Sequence, residues 1–464
     1  MKKVGLSVAF VFCFCIFRIG AQENVIAVVG TGYVGLTTGV GLAEIGNNVV
    51  CADIDIEKIE KLKNGEISIY EPGLESLVTK NCQTGRLVFT TDVESAIKKA
   101  SIIFIAVGTP MGDDGSADLS FIESVAKTIS DIINEHKYIC IKSTVPVGTG
   151  EKIRSFLEEN GVDSKLFDMV SNPEFLREGS AVNDFLYPDR IVIGVESDSA
   201  RIVMNNIYKQ FIENNVPLVF TNIATAETIK YASNAFLAVK ISYINELSNL
   251  CDKTGAHISE VAYGMGLDHR ISPYFLKPGP GFGGSCFPKD CSALLKISND
   301  YKNQLLVVKA ALDANEYQKD VAVTKLKALI TKKQDASLKN KTVAILGLAF
   351  KANTDDVRYS PAQRTIELLL AENAHIKAYD SHASENMKKI YPNICYCSSS
   401  YEALDGADAC IIITEWDEFK ELDFEKALTL MNNPILIDAR GIIDQKTVED
   451  LGFNFDSIGR KDTV

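Results

Sequence analysis

The sequence predicts an α/β protein in which two doubly wound domains flank a smaller helical domain. Three observations support this fold class. Short β-rich runs alternate with amphipathic helical stretches over residues 24–220, the strand signal disappears over 221–320, and the alternation resumes over 321–464. Such alternation indicates parallel sheets that helices cover on both faces. A length of 464 residues accommodates several domains at roughly 100–200 residues each.

The composition excludes several classes of protein. Hydrophobic residues make up 46% and charged residues 23%, a balance that excludes a disordered chain, a collagen-like fibre and a multi-span membrane protein. The 48 basic residues are outnumbered by 61 acidic ones, which gives a net charge of −13. Because nucleic-acid affinity depends on neutralising phosphates, we expect no nucleic-acid partner. Local cations must therefore hold any anionic small ligand.

The cysteines and histidines favour neither a disulfide framework nor a zinc site. The 11 cysteines are scattered without a C-x-x-C pair, and there are only 5 histidines. We therefore expect no metal site, and we expect most thiols to be free in a reducing compartment.

Residues 1–23 have the outline of a secretory signal peptide. Lys2 and Lys3 precede an apolar run over 4–17, which is short for a membrane span of about 20 residues. Arg18 and Ile19 weaken the cleavage site, so an upstream start codon or a non-functional extension is the alternative. We expect the segment to be dispensable for folding and catalysis and the protein to be cytoplasmic; a functional signal would send it to the secretory pathway.

The first domain begins with a dinucleotide-binding pattern. Its predicted strands are 24–29, 48–52, 87–91, 101–107, 138–142, 168–171 and 190–195. Gly30, Gly32 and Gly35 follow the first strand, where they permit a tight turn, close approach of a pyrophosphate and close helix–strand packing. Asp53 ends the second strand, where an acid bonds the ribose 2′-hydroxyl and favours NAD over NADP. The alternative is a glycine-rich turn without a ligand.

Polar residues also follow later strands, at the edge of the sheet where ligands bind in doubly wound folds. Thr109 and Thr144 lie in such positions, each close to a proline. Either side chain could contact a ligand, or it could only stabilise the turn. Glu174 and Glu178 follow another strand, where a carboxylate could orient water or could simply stabilise a helix N-terminus.

The middle domain contains a long predicted helix and a shaped loop. Residues 224–254 have helical periodicity and end at Gly255, and a second helix is predicted over about 305–330. Lys230 and Asn234 are four residues apart and share a face of the long helix, although such a pair is more often solvated surface. After Lys341 the strand signal returns, with strands at 342–348, 376–379, 409–414 and 434–438 and a helix at 361–372.

Cys286 lies where the glycine-rich loop over 277–285 meets the start of a helix. This setting is predicted to lower the pKa of the thiol and to make it a nucleophile. Asp290 follows one helical turn later and can share the same face. A buried, inert cysteine is the alternative.

These motifs together resemble the UDP-glucose/GDP-mannose dehydrogenase family. The matching segments are VVGTGYVGL, VGTP with DGSADLS, KSTVPVG, NPEFLREG, ETIKYASNAF, FLKPGPGFGGSCFPKD and LGLAFKANTDDVR. They occur in the family's order from residue 24 to about 460. The resemblance implies a Rossmann-type NAD-binding domain over 24–220, a central helical dimerisation domain over 221–320, and a Rossmann-like UDP-sugar-binding domain over 321–464.

The resemblance also implies roles for individual residues. It implies Cys286 as the covalent nucleophile, Asp290 as the water-linked base, and Lys230, Asn234, Glu174 and Thr144 as the other catalytic residues. The implied cofactor contacts are Gly30, Gly32, Tyr33, Val34, Gly35, Asp53, Lys58, Thr109, Thr144, Glu178, Lys289 and Arg358. The implied substrate contacts are Glu174, Phe175, Leu176, Lys230, Asn234, Arg270, Phe275, Leu276, Lys277, Gly283, Lys351 and Arg440. Arg270 is expected to reach the site of a neighbouring subunit.

The implied activity is oxidation of UDP-glucose to UDP-glucuronate with two NAD, through a Cys286 thiohemiacetal and thioester. Related substrates, GDP-mannose or UDP-N-acetylmannosamine, and a catalytically silent nucleotide-sugar-binding protein are the alternatives. We also expect at least a homodimer, because the long helix has apolar residues on more than one face. These residues are Ala235, Phe236, Leu237, Val239, Ile241, Ile244, Leu247 and Leu250.

Overall fold

The computed structural model describes residues 25–112, 114–331 and 337–460. The predicted leader over 1–23 therefore lies outside the described residues. Among those residues, no helix is long and apolar enough to cross a membrane. The nine cysteines in the described ranges are free, and no group of three or more His, Cys, Asp or Glu in those ranges could hold a metal ion.

The first sheet has eight strands in the order β3-β2-β1-β4-β5-β6-β7-β8. Their bounds are β1 Val25–Val29, β2 Asn48–Ala52, β3 Leu87–Thr90, β4 Ile102–Ile105, β5 Lys137–Ile141, β6 Phe167–Ser171, β7 Ile191–Val195 and β8 Leu218–Thr221. The strand order reverses beside β1, which places the ligand crevice of a doubly wound sheet at the carboxyl end of that strand. The seven predicted strands are confirmed, and β8 is an eighth that the prediction missed.

One pair of strands departs from the predicted parallel arrangement. β6 and β7 run antiparallel, with Ser171 opposite Gly194. A parallel neighbour requires the chain to cross back to the starting end of the sheet. Here the connection after Ser171 instead passes along the carboxyl edge, and this connection contains both Glu174 and Glu178.

Helices cover both faces of this sheet. They are α1 Tyr33–Glu44, α2 Ile56–Lys63, α3 Leu74–Gln83, α4 Val93–Lys99, α5 Ser120–Ile132, α6 Thr149–Glu159, α7 Ala181–Leu186, α8 Asp198–Ile207 and α9 Lys209–Glu213, with a 3-10 turn at Ser164–Leu166. On β4, Ile102 and Phe104 belong to one buried cluster, whereas Ile103 and Ile105 belong to the other. Side chains alternate along a strand, so a strand with apolar residues at every position must be buried on both faces.

The middle domain is built around one long helix. Its helices are α10 Ile223–Thr254, α11 Ile258–Gly266, α12 Phe287–Asp300 and α13 Leu306–Gln318. The Asn222 side chain caps the start of α10 by accepting a hydrogen bond of 2.7 Å from the Thr225 amide. Gly255 ends the helix in the left-handed conformation, as the sequence predicts.

The predicted helix over 305–330 is wrong in one respect, because it breaks after Gln318. Its second part is α14 Val321–Thr331. α13 packs on α10, whereas Ala322, Val323 and Leu326 of α14 belong to the core of the third domain. The two parts thus pack in different cores, one in the middle domain and one in the third domain.

The third domain has a parallel six-stranded sheet in the order β11-β10-β9-β12-β13-β14. Its strands are β9 Thr342–Leu346, β10 His375–Tyr379, β11 Cys395–Tyr396, β12 Ala409–Ile412, β13 Ile435–Asp438 and β14 Asn454–Ser457. Its helices are α15 Pro361–Ala371, α16 Ser384–Lys388, α17 Ser400–Leu404, α18 Asp417–Lys420, α19 Phe424–Leu430 and α20 Gln445–Asp450. The four predicted strands are confirmed. The prediction missed β11, which has two residues, and β14, which contains polar residues.

Candidate active site

The turn between β1 and α1 has the shape that a pyrophosphate requires. Gly30 has a φ of +98°, and a Cβ there would lie 2.7 Å from the carbonyl oxygen of Ala106. A Cβ on Gly35 would lie 2.0 Å from the carbonyl oxygen of Gly30, so the helix can approach the strand only with glycine there. By contrast, a Cβ on Gly32 would meet no atom within 4 Å. The open space beside Gly32 faces the start of α1, where Tyr33 and Val34 begin the helix and backbone N–H groups favour an anion.

Asp53 lies at the end of β2, on the other side of this turn. Its carboxylate accepts hydrogen bonds of 2.8 Å from both the amide and the hydroxyl of Thr31, and Lys58 Nζ lies 3.2 Å away. Burial opposes ionisation, but these hydrogen bonds and Lys58 together hold the pKa of Asp53 below its usual value. An ionised acceptor next to an open glycine turn fits the ribose and pyrophosphate of NAD.

Tyr33 connects this turn to the loop that follows β6. Its hydroxyl donates to the Glu71 carboxylate, which also accepts hydrogen bonds of 2.7 Å from the amides of Gly179 and Ala181. Burial and the neighbouring Glu71 raise the pKa of Tyr33. Glu71 positions the loop that contains Glu178, but no motif in the sequence points to Glu71.

A buried ion pair lies at the junction of the first and middle domains. Lys230 Nζ of α10 lies 2.8 Å from Glu174 Oε1, and both side chains are less than 5% exposed. The Leu176 amide donates to the other Glu174 oxygen at 2.6 Å, and the Thr144 hydroxyl lies 3.5 Å from Oε1. Burial opposes both charges, but Glu174 raises the pKa of Lys230 and Lys230 lowers the pKa of Glu174. The alternative that Lys230 is solvated surface is therefore excluded.

Asp290 lies next to this pair, at the start of α12. Its side chain is 1% exposed. Asn234 Nδ2 donates to one of its oxygens at 2.6 Å, and Lys289 Nζ lies 2.6 Å from the other. Lys230 and Asn234 are four residues apart on α10 and thus contact two different carboxylates. The Lys230 ammonium pairs with Glu174, and the Asn234 amide donates to Asp290.

Cys286 precedes the first turn of α12, as predicted, but its pKa is not lowered. Burial raises the pKa of the thiol to about 11, Glu174 and Asp290 raise it further, and Lys230 opposes them. The prediction from the helix start considered the local backbone only. The tertiary fold partly buries Cys286 and places carboxylates near the sulfur, so the thiol needs a base when it reacts.

A third carboxylate, Glu178, lies on the far side of Cys286. The Ser285 hydroxyl donates to it at 2.9 Å, and Thr354 and Arg358 of the third domain contact it at 3.3 and 3.5 Å. Burial, followed by repulsion from Asp356, raises the pKa of Glu178 to about 7, although Arg358 opposes this shift.

Three of the predicted substrate residues line a cavity between the middle and third domains. Leu276, Lys277 and Arg440 line this cavity of about 260 Å³, together with residues of α11 and with Arg460. Arg440 Nε donates to the Ile413 carbonyl at 2.6 Å. The cavity lining contains three cations and no carboxylate, which suits an anionic ligand. Sequence reasoning missed Arg460, which follows the last strand without a motif.

The remaining predicted residues are distributed around this centre. The Arg190 guanidinium lies 3.6 Å from the ring centroid of Phe175, and the Lys351 pKa is lowered by burial. The Thr109 hydroxyl donates to the Thr144 carbonyl at 2.9 Å. Gly283 cannot carry a side chain, because a Cβ would lie 2.3 Å from the Tyr359 carbonyl oxygen.

Phe275 and Arg270 are the two remaining predicted substrate contacts. Phe275 has a φ of +63° and lies 6.2 Å from the Phe287 ring, measured between centroids. The Arg270 side chain is 78% exposed and pairs with Asp268 of its own loop at 2.6 Å. Within one subunit, Arg270 thus does not join the residues around Cys286.

Lys142 is a buried cation that sequence reasoning did not single out. It directly follows β5, and its Nζ lies 3.2 Å from Asn172 Oδ1, which also accepts from the Tyr208 hydroxyl at 2.6 Å. Burial lowers the pKa of Lys142 to about 8, partly opposed by Cys140 and Glu174. The signal that could have found it is a lysine directly after the apolar end of a strand, residues 139–141.

We expect Lys142 to make folding stability depend on pH. Between about pH 8 and about pH 10 the unfolded chain binds the proton of this lysine and the folded chain does not, so its contribution to stability rises with pH. Urea unfolding of the unmodified protein and of Lys142→Met at pH 7 and pH 10 tests this. Relative to Lys142→Met, the unmodified protein should have a larger unfolding free energy at pH 10 than at pH 7. The same difference between the two proteins at both pH values would contradict the lowered pKa.

Three family models match consecutive parts of the chain. They describe the NAD binding domain, the central domain and the UDP binding domain of the UDP-glucose/GDP-mannose dehydrogenase family, and they match residues 24–212, 224–317 and 344–445. The matches follow the order of the three domains and extend across both the cofactor turn and the residues around Cys286.

Curated proteins and solved structures are similar over nearly their whole length. A UDP-glucose 6-dehydrogenase of Bacillus subtilis is 47% identical over 94% of this chain and 93% of its own. A UDP-glucose 6-dehydrogenase of Rhizobium meliloti is 44% identical over 94% of this chain and 100% of its own. The structure of a UDP-glucose dehydrogenase from Pyrobaculum islandicum has a TM-score of 0.86 at 35% identity, covering 96% of this chain and 99% of its own. That of a UDP-D-ManNAc dehydrogenase from Pyrococcus horikoshii has a TM-score of 0.83 at 30% identity, with 95% and 100% covered.

Proposed function

The chain belongs to the UDP-glucose/GDP-mannose dehydrogenase family, and from this premise we propose that it oxidises UDP-glucose to UDP-glucuronate. The observation that supports this best is the grouping of Cys286, Lys230, Glu174 and Asp290 between an NAD-binding domain and a UDP-binding domain. A four-electron oxidation needs a nucleophile that retains the aldehyde, a cation for the anionic oxygen and a carboxylate for water. All three kinds of group occur here.

NAD is the cofactor, and when bound it accepts a hydride in each of the two oxidations. Asp53 would accept hydrogen bonds from the ribose hydroxyls, and the start of α1 at Tyr33 and Val34 would bind the pyrophosphate. Lys58, Thr109, Lys289 and Arg358 are the further cofactor contacts that we propose.

In the first oxidation the proton of the sugar's 6-hydroxyl leaves to a base. Because the pKa of Lys230 is raised, its ammonium is charged at neutral pH and stabilises the developing negative charge on the oxygen. Water held by Asp290 is then the group that takes the proton. Asn234 orients Asp290 through their hydrogen bond of 2.6 Å.

In the second oxidation Cys286 retains the sugar. Its sulfur adds to the aldehyde carbon to form a thiohemiacetal, and loss of the second hydride converts this adduct to a thioester. Water then adds to the thioester carbon, with Glu174 and Asp290 as the neighbouring carboxylates, and the Cys286 thiol leaves. Thr144 contributes to holding that water beside Glu174.

A panel of nucleotide sugars with NAD tests the substrate. UDP-glucose should give two NADH and one UDP-glucuronate per sugar, and GDP-mannose and UDP-N-acetylmannosamine should give much less. A preference for either of these sugars would replace UDP-glucose as the substrate. Uptake of UDP-glucose in a binding titration without NADH formation would indicate a binding protein instead of an enzyme.

We expect the protein to prefer NAD over NADP because of Asp53. Its ionised carboxylate should repel a 2′-phosphate, so Asp53→Asn should reduce the preference roughly tenfold or more by weakening NAD binding and removing the repulsion. Asp55→Asn is the matched control, because Asp55 lies two residues from Asp53 and caps α2 by accepting a hydrogen bond from the Lys58 amide. Rates with both cofactors measure the preference, and equal rates in the unmodified protein would contradict this role of Asp53.

We propose that the protein is a homodimer or a larger homo-oligomer built on α10. Of the predicted apolar residues, Ala235 and Ile244 are buried within the subunit, whereas Phe236 and Leu250 are 64% and 54% exposed. With Tyr243, which is 49% exposed, they recur every seven residues and form one exposed stripe. A second copy of the stripe would cover it and would bring Arg270 toward the neighbouring site.

Sedimentation tests this assembly. Phe236→Glu with Leu250→Glu should yield monomers, whereas Ile202→Glu, at an exposed apolar position on α8, should leave the assembly intact. A fully active monomer at micromolar concentration would contradict the proposal.

We propose that the protein acts in the cytoplasm, since NAD is plentiful there and Cys286 stays reduced. A fusion tag at the C-terminus, followed by microscopy in the native cell, tests this. Signal in secretory compartments only would overturn it.

A further inference from the structure

Within the described residues, the Cys286 thiol has a hydrogen-bond contact with the Ser285 hydroxyl and none with Lys230, Glu174 or Asp290. Lys230 is a cation, Glu174 is held ionised by that cation, and Asp290 already accepts from Asn234 and lies against Lys289. The thiol still has to lose its proton when sulfur bonds to carbon. The question is which group receives it.

The direction of the hydrogen bonds around Ser285 gives an answer. Its single hydroxyl proton is donated to Glu178 Oε1 at 2.9 Å. The same hydroxyl oxygen lies 3.6 Å from Cys286 Sγ. A hydroxyl has one proton to donate and two lone pairs, so while Glu178 is ionised and accepts that proton, the thiol is the donor in the contact with sulfur. Both hydrogen bonds therefore run in the same direction, from Cys286 to Ser285 and from Ser285 to Glu178.

We propose that Ser285 and Glu178 form a relay that accepts the thiol proton of Cys286 as the sulfur adds to the sugar aldehyde. The proposal rests on the dehydrogenase reaction given above and adds two residues to it. The new bond joins Sγ to the aldehyde carbon, and the carbonyl electron pair moves to oxygen, beside Lys230. The Cys286 proton passes to Ser285 Oγ while the Ser285 proton passes to Glu178. When the thioester is hydrolysed, the leaving sulfur takes a proton back along the same path.

The surroundings of Glu178 suit this role. With a pKa of about 7, about half of the Glu178 carboxyls are ionised and able to accept a proton at neutral pH, which is the range in which a general base works best. Glu178 is held from several elements, so its position does not depend on Ser285. The charged and titratable groups around it are Asp356, Arg358, Lys351, Tyr33 and Cys286. Those around Cys286 are Glu174, Lys230, Asp290, Glu178, Lys351 and Arg358.

Alkylation of Cys286 by iodoacetamide, followed by mass spectrometry of its peptide, tests the relay in the full-length protein without sugar or NAD. In the unmodified protein the rate should contain a component that rises with ionisation of a group near pH 7, well below the thiol pKa of about 11. Ser285→Ala and Glu178→Gln should lose this component, and at pH 8 their rates should fall about a hundredfold, the lower end of what a positioned base contributes.

Glu178→Gln also separates the relay from a purely electrostatic effect. The Glu178 charge raises the pKa of the thiol, so without a relay its removal should speed alkylation. Ser285→Ala should then change little. Faster alkylation in Glu178→Gln, or an unchanged pH profile in Ser285→Ala, would overturn the proposal.

Thr354→Val is the matched control. Thr354 donates to the other oxygen of the same carboxylate at 3.3 Å and does not lie between Glu178 and sulfur. This variant should keep the component near pH 7, and an equal loss in Thr354→Val and Ser285→Ala would refute the relay. The alkylation profile does not require turnover. A chain that fails to oxidise UDP-glucose but shows the relay would therefore contradict the proposed function alone.

Discussion

A Cys286→Ser protein should lose full turnover by several orders of magnitude while it still binds NAD and UDP-glucose. Neither binding surface depends on the sulfur: the glycine turn and Asp53 lie in the first domain, and the cavity beside Lys277 lies between the other two. A serine hydroxyl is a much weaker nucleophile than a thiol, so covalent capture of the aldehyde should be slow. The variant should release at most about one NADH per site, whereas the unmodified enzyme should yield two NADH per sugar.

The control is Cys291→Ser, which makes the same change in the same helix. Cys291 is 1% exposed and packs in the apolar cluster of α10, α12 and α13, so its replacement tests whether α12 tolerates the substitution. It should lose some stability and keep two NADH per sugar. Near-normal steady-state turnover in Cys286→Ser, with two NADH per sugar, would remove Cys286 from the mechanism.

The parts of the molecule that local sequence determines were predictable. Gly30, Gly32, Gly35 and Asp53 lie within about one βαβ unit, and their roles depend on backbone geometry that the spacing itself specifies. The helix start at Asn222 and its end at Gly255 depend on the same kind of local rule. This is why the cofactor turn and the long helix agree with the expectations.

The features that depend on distant packing were not predictable. The pKa of Cys286 was expected to fall because of a helix start, but it rises because residues far apart in sequence bury the sulfur. Lys142 was missed, since only the contact with Asn172 and the neighbouring Glu174 gives it a role. The break between α13 and α14 likewise depends on which core each half packs against.

Spacing along one helix gave partial information. The spacing of Lys230 and Asn234 predicts that they share one face of the helix, but spacing alone leaves open whether that face is buried or solvated. Glu174 and Asp290 are each 56 residues or more along the chain from both Lys230 and Asn234. These two carboxylates determine what the two side chains contact. A helical face can be predicted from periodicity, but the element that covers it cannot.

Replacing Lys230 by methionine should have the second largest effect on activity and should also move the pH profile. The ammonium lies 2.8 Å from Glu174 Oε1, and its charge acts on Cys286 and Asp290 as well. Without it the anionic oxygen of the reaction loses its cation, and turnover should fall roughly 10²–10³-fold. The Glu174 carboxylate would remain buried with less compensation, so its pKa should rise, and the acidic limb of the rate profile should move to higher pH.

Measurements of stability distinguish the loss of catalysis in Lys230→Met from the general consequence of losing a buried lysine. Breaking a buried ion pair costs roughly 3–5 kcal/mol, so Lys230→Met should unfold at lower urea concentration. Lys137→Met is the matched control, since Lys137 is 1% exposed and its Nζ donates to the carbonyls of Lys98 and Ala100, away from the group around Cys286. It should also be less stable, by about 1–3 kcal/mol, but should keep its turnover and its pH profile under folding conditions. If both variants lose activity only in proportion to the unfolded fraction, or if the acidic limb of Lys230→Met does not move, then Lys230 supports the fold and does not stabilise the reacting oxygen.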